Sequence, residues 1–341
     1  MTFQPFLEAI GKQVDNTTYG ANPIELYEPI QYIMSLGGKR LRPLLTTLSA
    51  HLFTDDWQKT LKPAVAVEVF HNFTLMHDDI MDCAPLRRGK PTVHEKWNAN
   101  TAILSGDVML VNAYELLLEV EPVYLPKVIK RFNRTAAEVC EGQQFDMNFE
   151  TRADVSQEEY IEMIRLKTSV LLGFAMELGG IIAGADDATT QALYDAGVSM
   201  GLGFQLKDDL LDVYGDPEKF GKQVGGDIIA NKKTFMLIEA LLLAKGETQK
   251  QLHHWLAQEQ GTYDTATKVA AVTDIYTQLG IDKIAQAKAD EYFAHGFEVL
   301  QNLPVAEERK KPLLDFAEFL VGRESWCALS FSINDTGHAF S

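Results

Sequence analysis

SQEEYIEMIRLKTSVLLGF, residues 156–174, decides how the chain is read. Ser156 followed three residues later by Glu159 is a capping-box pattern, the signature of a helix start. Tyr160, Ile164, Leu171 and Phe174 then fall on one stripe at helical spacing. Lys167 lies on the same stripe, seven residues after Tyr160, with Thr168 beside it. A charged group on an apolar stripe is costly unless it is paired. Lysine also snorkels to solvent, so the stripe alone leaves two readings. One is a lysine reaching water, the other a lysine that meets a buried anion.

The helical period spreads outward from this stretch. Segments near 22–36, 41–53, 61–82, 101–119, 126–149, 190–213, 232–245, 265–295 and 309–322 carry the same pattern. Breakers separate them at Gly37-Gly38, Pro85 to Pro91, Pro122 to Pro126, Gly184 to Ala188, Gly215 to Gly226 and Asn302 to Pro304. No alternating strand pattern, βαβ rhythm or Gly/Ser/Pro-rich linker is visible. The expectation is a single all-α domain over residues 1–323, with a tail over 324–341.

Composition narrows the function classes. A net charge of −17 argues against nucleic acid as the main partner. Cys83, Cys140 and Cys327 are scattered, with neither a disulfide framework nor zinc spacing, which fits a reducing cytoplasm. The first residues lack a basic segment followed by an apolar run. No apolar stretch approaches the ~20 residues needed to span a bilayer. The sequence therefore predicts a soluble, cytoplasmic protein.

Two acidic clusters sit in apolar helical stretches: His77-Asp78-Asp79-Ile80-Met81-Asp82 and Lys207-Asp208-Asp209-Leu210-Leu211-Asp212. Positions i and i+4 share a helix face, so Asp78 pairs with Asp82 and Asp208 with Asp212. Like charges at this spacing repel. One such cluster is readily a solvated stripe; two with the same spacing imply cations. His71 lies seven residues before Asp78, and Gln205 continues the second polar stripe. Aspartates of this kind suit Mg²⁺, which is usually held by one or two carboxylates plus substrate phosphates.

Basic groups track the acidic ones: Lys39, Arg40 and Arg42 after Gly37-Gly38; Arg87, Arg88 and Lys90 after the first cluster; Lys222, Lys232 and Lys233 after the second. Arginine matches phosphate bidentately and lysine acts as a point charge. Gly89-Lys90 and Gly221-Lys222 echo one another, from an old duplication or from two helices serving one site. Gln143 and Asp146 either support the site or only hold their own helix.

In this order the motifs resemble the trans-type (all-E) polyprenyl diphosphate synthases. The match runs through Gly38-Lys39-Arg40-x-Arg42-Pro43, His71, Asp78-Asp79-x-x-Asp82, Arg87-Arg88-Gly89, Lys167-Thr168, Gly203-Phe204-Gln205, Asp208-Asp209-x-x-Asp212, Gly221-Lys222, Gly226-Asp227 and Lys232-Lys233-Thr234, over roughly residues 20 to 323. The resemblance implies a large antiparallel helix bundle around a deep cavity, the isoprenoid synthase fold, usually as a homodimer. It implies head-to-tail condensation of isopentenyl diphosphate with an allylic diphosphate: dimethylallyl, geranyl or farnesyl. By resemblance Asp78, Asp82 and Asp208 bind Mg²⁺, with Asp79, Asp209 and Asp212 completing the metal site; three ions are expected, with Mn²⁺ as a substitute. Arg87, Lys167, Lys222 and Lys232 are the implied allylic diphosphate ligands. Lys39, Arg40, His71 and Arg88 are those for isopentenyl diphosphate. Thr168 and Gln205 would place oxygen dipoles near the carbocation.

Product length is expected from Phe73 and Thr74. At 1.5 Å per residue Phe73 lies about 7.5 Å before Asp78 along the helix, where an aromatic ring either floors a growing chain or simply packs in the core. An aromatic five residues before the first aspartate, with a small residue four before it, resembles a geranylgeranyl (C20) pattern, with farnesyl (C15) second. The two extra residues found in the first cluster of many short-chain bacterial relatives are absent. The last residues, from about 325, lack the basic ending some relatives carry. A terpene cyclase shares fold and one cluster but needs no second phosphate site. A non-catalytic or regulatory subunit of a hetero-oligomeric synthase keeps the fold but loses ligands.

Overall fold

The structure is a computed structural model and describes residues 2–215, 224–258 and 261–322. Lys222 and the tail from 324 lie outside them.

One helix sets the arrangement. α9 (Val170–Ile182) is buried at every position, as a helix that is apolar all round must be. Around it run α1 (Gln4–Asn16), α2 (Ile24–Ser35), α3 (Leu41–His51), α4 (Leu61–Met81), the short α5 (Val93–Lys96), α6 (Ala99–Leu117), α7 (Leu125–Glu150) and α8 (Gln157–Ile164). The chain continues through α10 (Asp187–Tyr214), α11 (Gly226–Ile229), α12 (Phe235–Leu243), α13 (Gly246–Leu256), α14 (Thr265–Leu279), α15 (Ile281–Gln301) and α16 (Glu307–Val321). The strongest packing runs α3–α9–α10–α15, with α4 against α6. α10 is the shared spine. Its first half enters one core, with Leu193 and Met200, and its second half enters another, with Leu206 and Leu210.

α9 and α10 come close because Gly197 faces Gly173; a side chain on Gly197 would meet the Gly173 Cα at 2.7 Å. Beneath α4, Phe132 is fully buried, a burial that stabilises by about 1.5–3 kcal/mol. Its ring stands edge-on to Phe70 and Tyr114 and tilts against Phe174. Phe73 lies on Phe70 at 5.6 Å between centroids.

The all-α expectation holds, and most expected helices form. Three differences have local causes. Residues 265–295 form two helices, because Gly280 takes a positive φ of 70° that caps α14. The segment 85–91 is a two-residue-per-strand hairpin, with Leu86 opposite Pro91 and Arg87 opposite Lys90. Its turn residues, Arg88 and Gly89, both hold positive φ, which suits the twist of a tight hairpin. Third, the stripe through Lys167 is not continuous α-helix: Arg165–Ser169 form a π turn between α8 and α9. α1, α5, α11 and α13 have no counterpart among the expected segments. Among the described residues no helix is long and apolar enough to cross a membrane.

Candidate active site

Both acidic clusters end their helices. Asp82 is the C-cap of α4, and Asp212 lies in the last turn of α10. Helix C-termini carry partial negative charge, so backbone and side chains together make both ends receptive to cations.

Within each cluster the middle aspartate turns inward. Asp79 is buried and gripped by Arg87 from the hairpin, with Nε at 2.8–2.9 Å and Nη2 at 2.7 Å. Burial pushes its carboxyl pKa up against the pull of Arg87. Asp209 is buried, accepting the Tyr160 hydroxyl and the Gln205 amide, the latter at 3.1 Å. Its pKa is pushed up to about 8, first by burial and then by Asp227. Asp78, Asp208 and Asp212 are half-buried and Asp82 is exposed. Asp212 also accepts the backbone N–H of Asp227 at 3.0 Å. Burial and the Asp78 charge raise Asp82.

The π turn delivers Lys167 between helices. Its Nζ lies 2.6 Å from Asp146 and 3.2 Å from Asp78, so the charge on the apolar stripe is paired. π turns of this kind frequently mark functional sites. Two glycines let the turn fit: a Cβ on Gly142 would meet the Lys167 nitrogen at 2.2 Å, and one on Gly201 the Ser169 Cα at 2.7 Å. Thr168 donates to Gln205 at 3.4 Å. Lys232 approaches Asp146 at 3.8 Å from across the site. Burial lowers the Lys232 pKa, but Asp146, Asp227, Asp209 and Asp82 outweigh it and the net shift is upward. Lys232 therefore feels both clusters at once. Asp146 is lowered overall, Lys232 and Lys167 overcoming burial.

A second wall of the site is basic. Arg40, at a positive φ of 49°, donates to Glu68 at 2.7 Å and to the Met34 carbonyl at 2.8 Å. Arg88, at 54°, folds over the glycine turn and donates to the Gly37 carbonyl. A Cβ on Gly38 would meet its guanidinium at 3.0 Å. Lys39 is half-buried beside them. Arg42 Nε is buried without a hydrogen-bond partner, and burial pushes the Arg42 pKa down to about 10. His71 is neutral: burial, then Arg42, Arg88, Arg87 and Arg40, hold it well below the usual imidazole range. Positive groups thus converge around one buried acid, Glu68.

Of the chain-length residues, Phe73 packs between Phe70 and His77, and Thr74 donates to the His71 carbonyl at 2.8 Å. Sequence reasoning counted Arg42 among the basic groups but left it out of the ligand sets, and gave no site role to Glu68 or Tyr160. Glu68 carried a signal, an acid inside the apolar run Val65–Phe70; Tyr160 read only as part of an apolar stripe.

No three carboxylate, imidazole or thiol groups among the described residues converge tightly enough to hold an ion alone. Asp78 Oδ1 is buried and faces the Lys167 ammonium at 3.2 Å. This donor set fits a hard cation that shares carboxylates with substrate phosphates.

Comparison with known proteins agrees with this geometry. The polyprenyl synthetase family model matches residues 23–275. The chain is 38% identical over 320 residues to the geranylgeranyl diphosphate synthase of Methanosarcina mazei, covering 91% of this chain and 94% of that protein. It is 34% identical to the geranylfarnesyl diphosphate synthase of Natronomonas pharaonis, covering 93% and 95%. A crystal structure of geranylgeranyl pyrophosphate synthase superposes with a TM-score of 0.88 at 46% identity, covering 95% of this chain and 98% of that one. With the isoprenoid synthase fold, two aspartate-rich helix ends and a family match spanning most of its length, the chain belongs to the polyprenyl synthetase family, enzymes that transfer prenyl groups.

Proposed function

We propose that this short-chain prenyltransferase condenses an allylic diphosphate with isopentenyl diphosphate and makes a C20 product, with C15 as the second choice. The observation that carries the reading is the pair of walls of opposite charge. The acidic wall, with Lys167, Arg87 and Lys232 set among the aspartates, suits a diphosphate that arrives with cations. The basic wall of Lys39, Arg40, Arg42 and Arg88 around neutral His71 suits one that arrives without them. Arg40, tied to Glu68, orients that wall.

Asp78, Asp82 and Asp208 would hold Mg²⁺, with Asp79, Asp209 and Asp212 supporting them through their own partners. Bound there, Mg²⁺ supplies Lewis-acid stabilisation of the charge on a departing diphosphate. Lys167, Arg87 and Lys232 neutralise the same charge from fixed positions, the kind of preorganisation that is most effective in a dry site. Lys222 of the matched motif belongs to this set in the proposal. The Thr168 and Gln205 oxygens face the carbocation side. The isopentenyl double bond then attacks, and its proton leaves to the released diphosphate. Phe73, braced by Phe70 on Phe132, is the floor that stops the chain.

A second copy of the chain is the proposed partner. Leu104 and Val111 on α6 and Leu118 at its C-cap recur every seven residues and are 58%, 56% and 60% exposed, an apolar stripe suited to a matching helix face. Cys83 and Cys140 are exposed free thiols, in keeping with a reducing cytoplasm.

The test is turnover by the purified protein alone with Mg²⁺, labelled isopentenyl diphosphate and each allylic primer, followed by chromatography of dephosphorylated products. C20 alcohol is expected. Asp78→Ala and Asp208→Ala should each lower kcat by about 10² or more, and excess chelator should stop the reaction. Undiminished turnover in chelator would falsify the metal assignment; no turnover by the unaltered protein would favour a non-catalytic subunit.

A further inference from the structure

Lys268, in the first turn of α14, is a lysine with no exposed surface. A buried ammonium is tolerated only when its donors are met. Here three neutral oxygens meet it: Asn231 Oδ1 at 2.7 Å, the Tyr263 hydroxyl at 3.3 Å and the Ile229 carbonyl at 3.4 Å. The Tyr263 ring lies 4.8 Å from Nζ, and its hydroxyl donates to the same Ile229 carbonyl at 3.4 Å.

What these acceptors share is their place in the chain. Ile229 and Asn231 flank the turn that leads from α11 into Lys232. Asn231 holds a positive φ of 52°, a conformation asparagine tolerates better than most residues. Its amide donates to the Leu256 carbonyl at 3.2 Å, so both ends of the Asn231 carboxamide are engaged. The Lys232 nitrogen donates to the Asp227 carbonyl at 2.9 Å, and Thr234 closes the turn onto the Lys232 carbonyl at 2.8 Å. This backbone carries Lys232 to Asp146.

We propose that Lys268 is a positioning residue: it fixes the Asn231 turn and through it sets where Lys232 meets the allylic diphosphate. The inference rests on the reading of Lys232 given above. Lys268 touches no substrate. It acts by holding a strained turn in one conformation, and strain of that kind persists only where the surroundings over-determine it.

A double-mutant cycle on the full chain with Mg²⁺ and both substrates tests this. Lys268→Met should lower kcat/KM for the allylic substrate about tenfold or more, since small misplacements of positioned groups are costly. It should leave KM for isopentenyl diphosphate within about twofold. In a Lys232→Ala background, Lys268→Met should cost less than about twofold more, because the group it positions is gone. Asn231→Gly, which keeps the positive φ but removes the carboxamide, should act in the same direction and replaces Lys268→Met in the cycle if that variant does not fold. An equal fold-loss in both backgrounds overturns the inference while leaving the Lys232 reading intact. No effect of Lys232→Ala on the allylic substrate overturns that reading, and the inference with it.

Discussion

Lys167 and His71 are both charged or chargeable in water, and the site treats them in opposite ways. Lys167 is paired between Asp146 and Asp78. His71 is denied a charge by burial and by the arginines around it. The second case has a consequence for stability. The folded pKa of His71 lies below the unfolded value of about 6.5, so its contribution is intact above that pH and is lost as pH falls toward the folded pKa. As pH falls below 6.5 the unfolded chain takes up a proton that the native state resists, and stability is lost. Denaturant midpoints at pH 7.5 and 5.5, without substrate, should therefore fall further for the unaltered protein than for His71→Gln. Equal falls would mean that His71 is protonated in the folded state. At this scale the sequence was informative about residue type. Lys167 stood out because a charge sat on an apolar stripe, but its partners, an aspartate on α7 and another on α4, are distant in the chain. Arg42 lay in plain view within a motif, and only the folded backbone separates its role from that of Arg40.

Among the elements, the π turn at Arg165–Ser169 was the least legible. The turn rotates the face of the helix that follows, but α9 is buried all round, so periodicity does not register the shift. The glycines that accommodate it lie on other helices, Gly142 on α7 and Gly201 on α10. Gly142→Ala should force its new methyl into the Lys167 backbone, which has no rotamer to yield. Overpacking of this kind costs about 1–3 kcal/mol. Since α7 also carries Asp146, KM for the allylic substrate should rise together with the drop in melting temperature. A stable variant with unchanged KM would show that the turn moves without consequence. α4 carries a separate device. Phe73→Ala removes the ring above Phe70 and should lengthen the product beyond that of the unaltered protein, read by chromatography of the dephosphorylated alcohols. An unchanged product, or an unaltered protein that already makes C30 or longer, would end the case for Phe73 as the floor. The short hairpin was hidden for another reason: two residues per strand are too few to show alternation, although Arg88-Gly89 marks its turn.

For the molecule as a whole, the all-α architecture was legible because helical spacing recurs along nearly the entire chain and its breakers fall between helices. Which faces stay outside is a different matter. Leu104, Val111 and Leu118 fit an amphipathic helix equally well as core, and only the packing of α6 leaves them exposed. Val111→Glu places a charge in the middle of that stripe. Sedimentation should show a dimer for the unaltered protein and a monomer for the variant; a variant that stays dimeric would place the contact on another face. The two walls of the site also have a meaning beyond grip. Both proposed co-substrates carry the same diphosphate head, so shape at that end cannot tell them apart. One wall is built from aspartates at helix ends, the other from arginines around a single buried acid. In the proposed reading, a head group that arrives bare is turned away from the first and welcomed by the second, and one that arrives with its cations meets the reverse. Identity is thus assigned by the counterion, and two molecules with one label are delivered to two addresses.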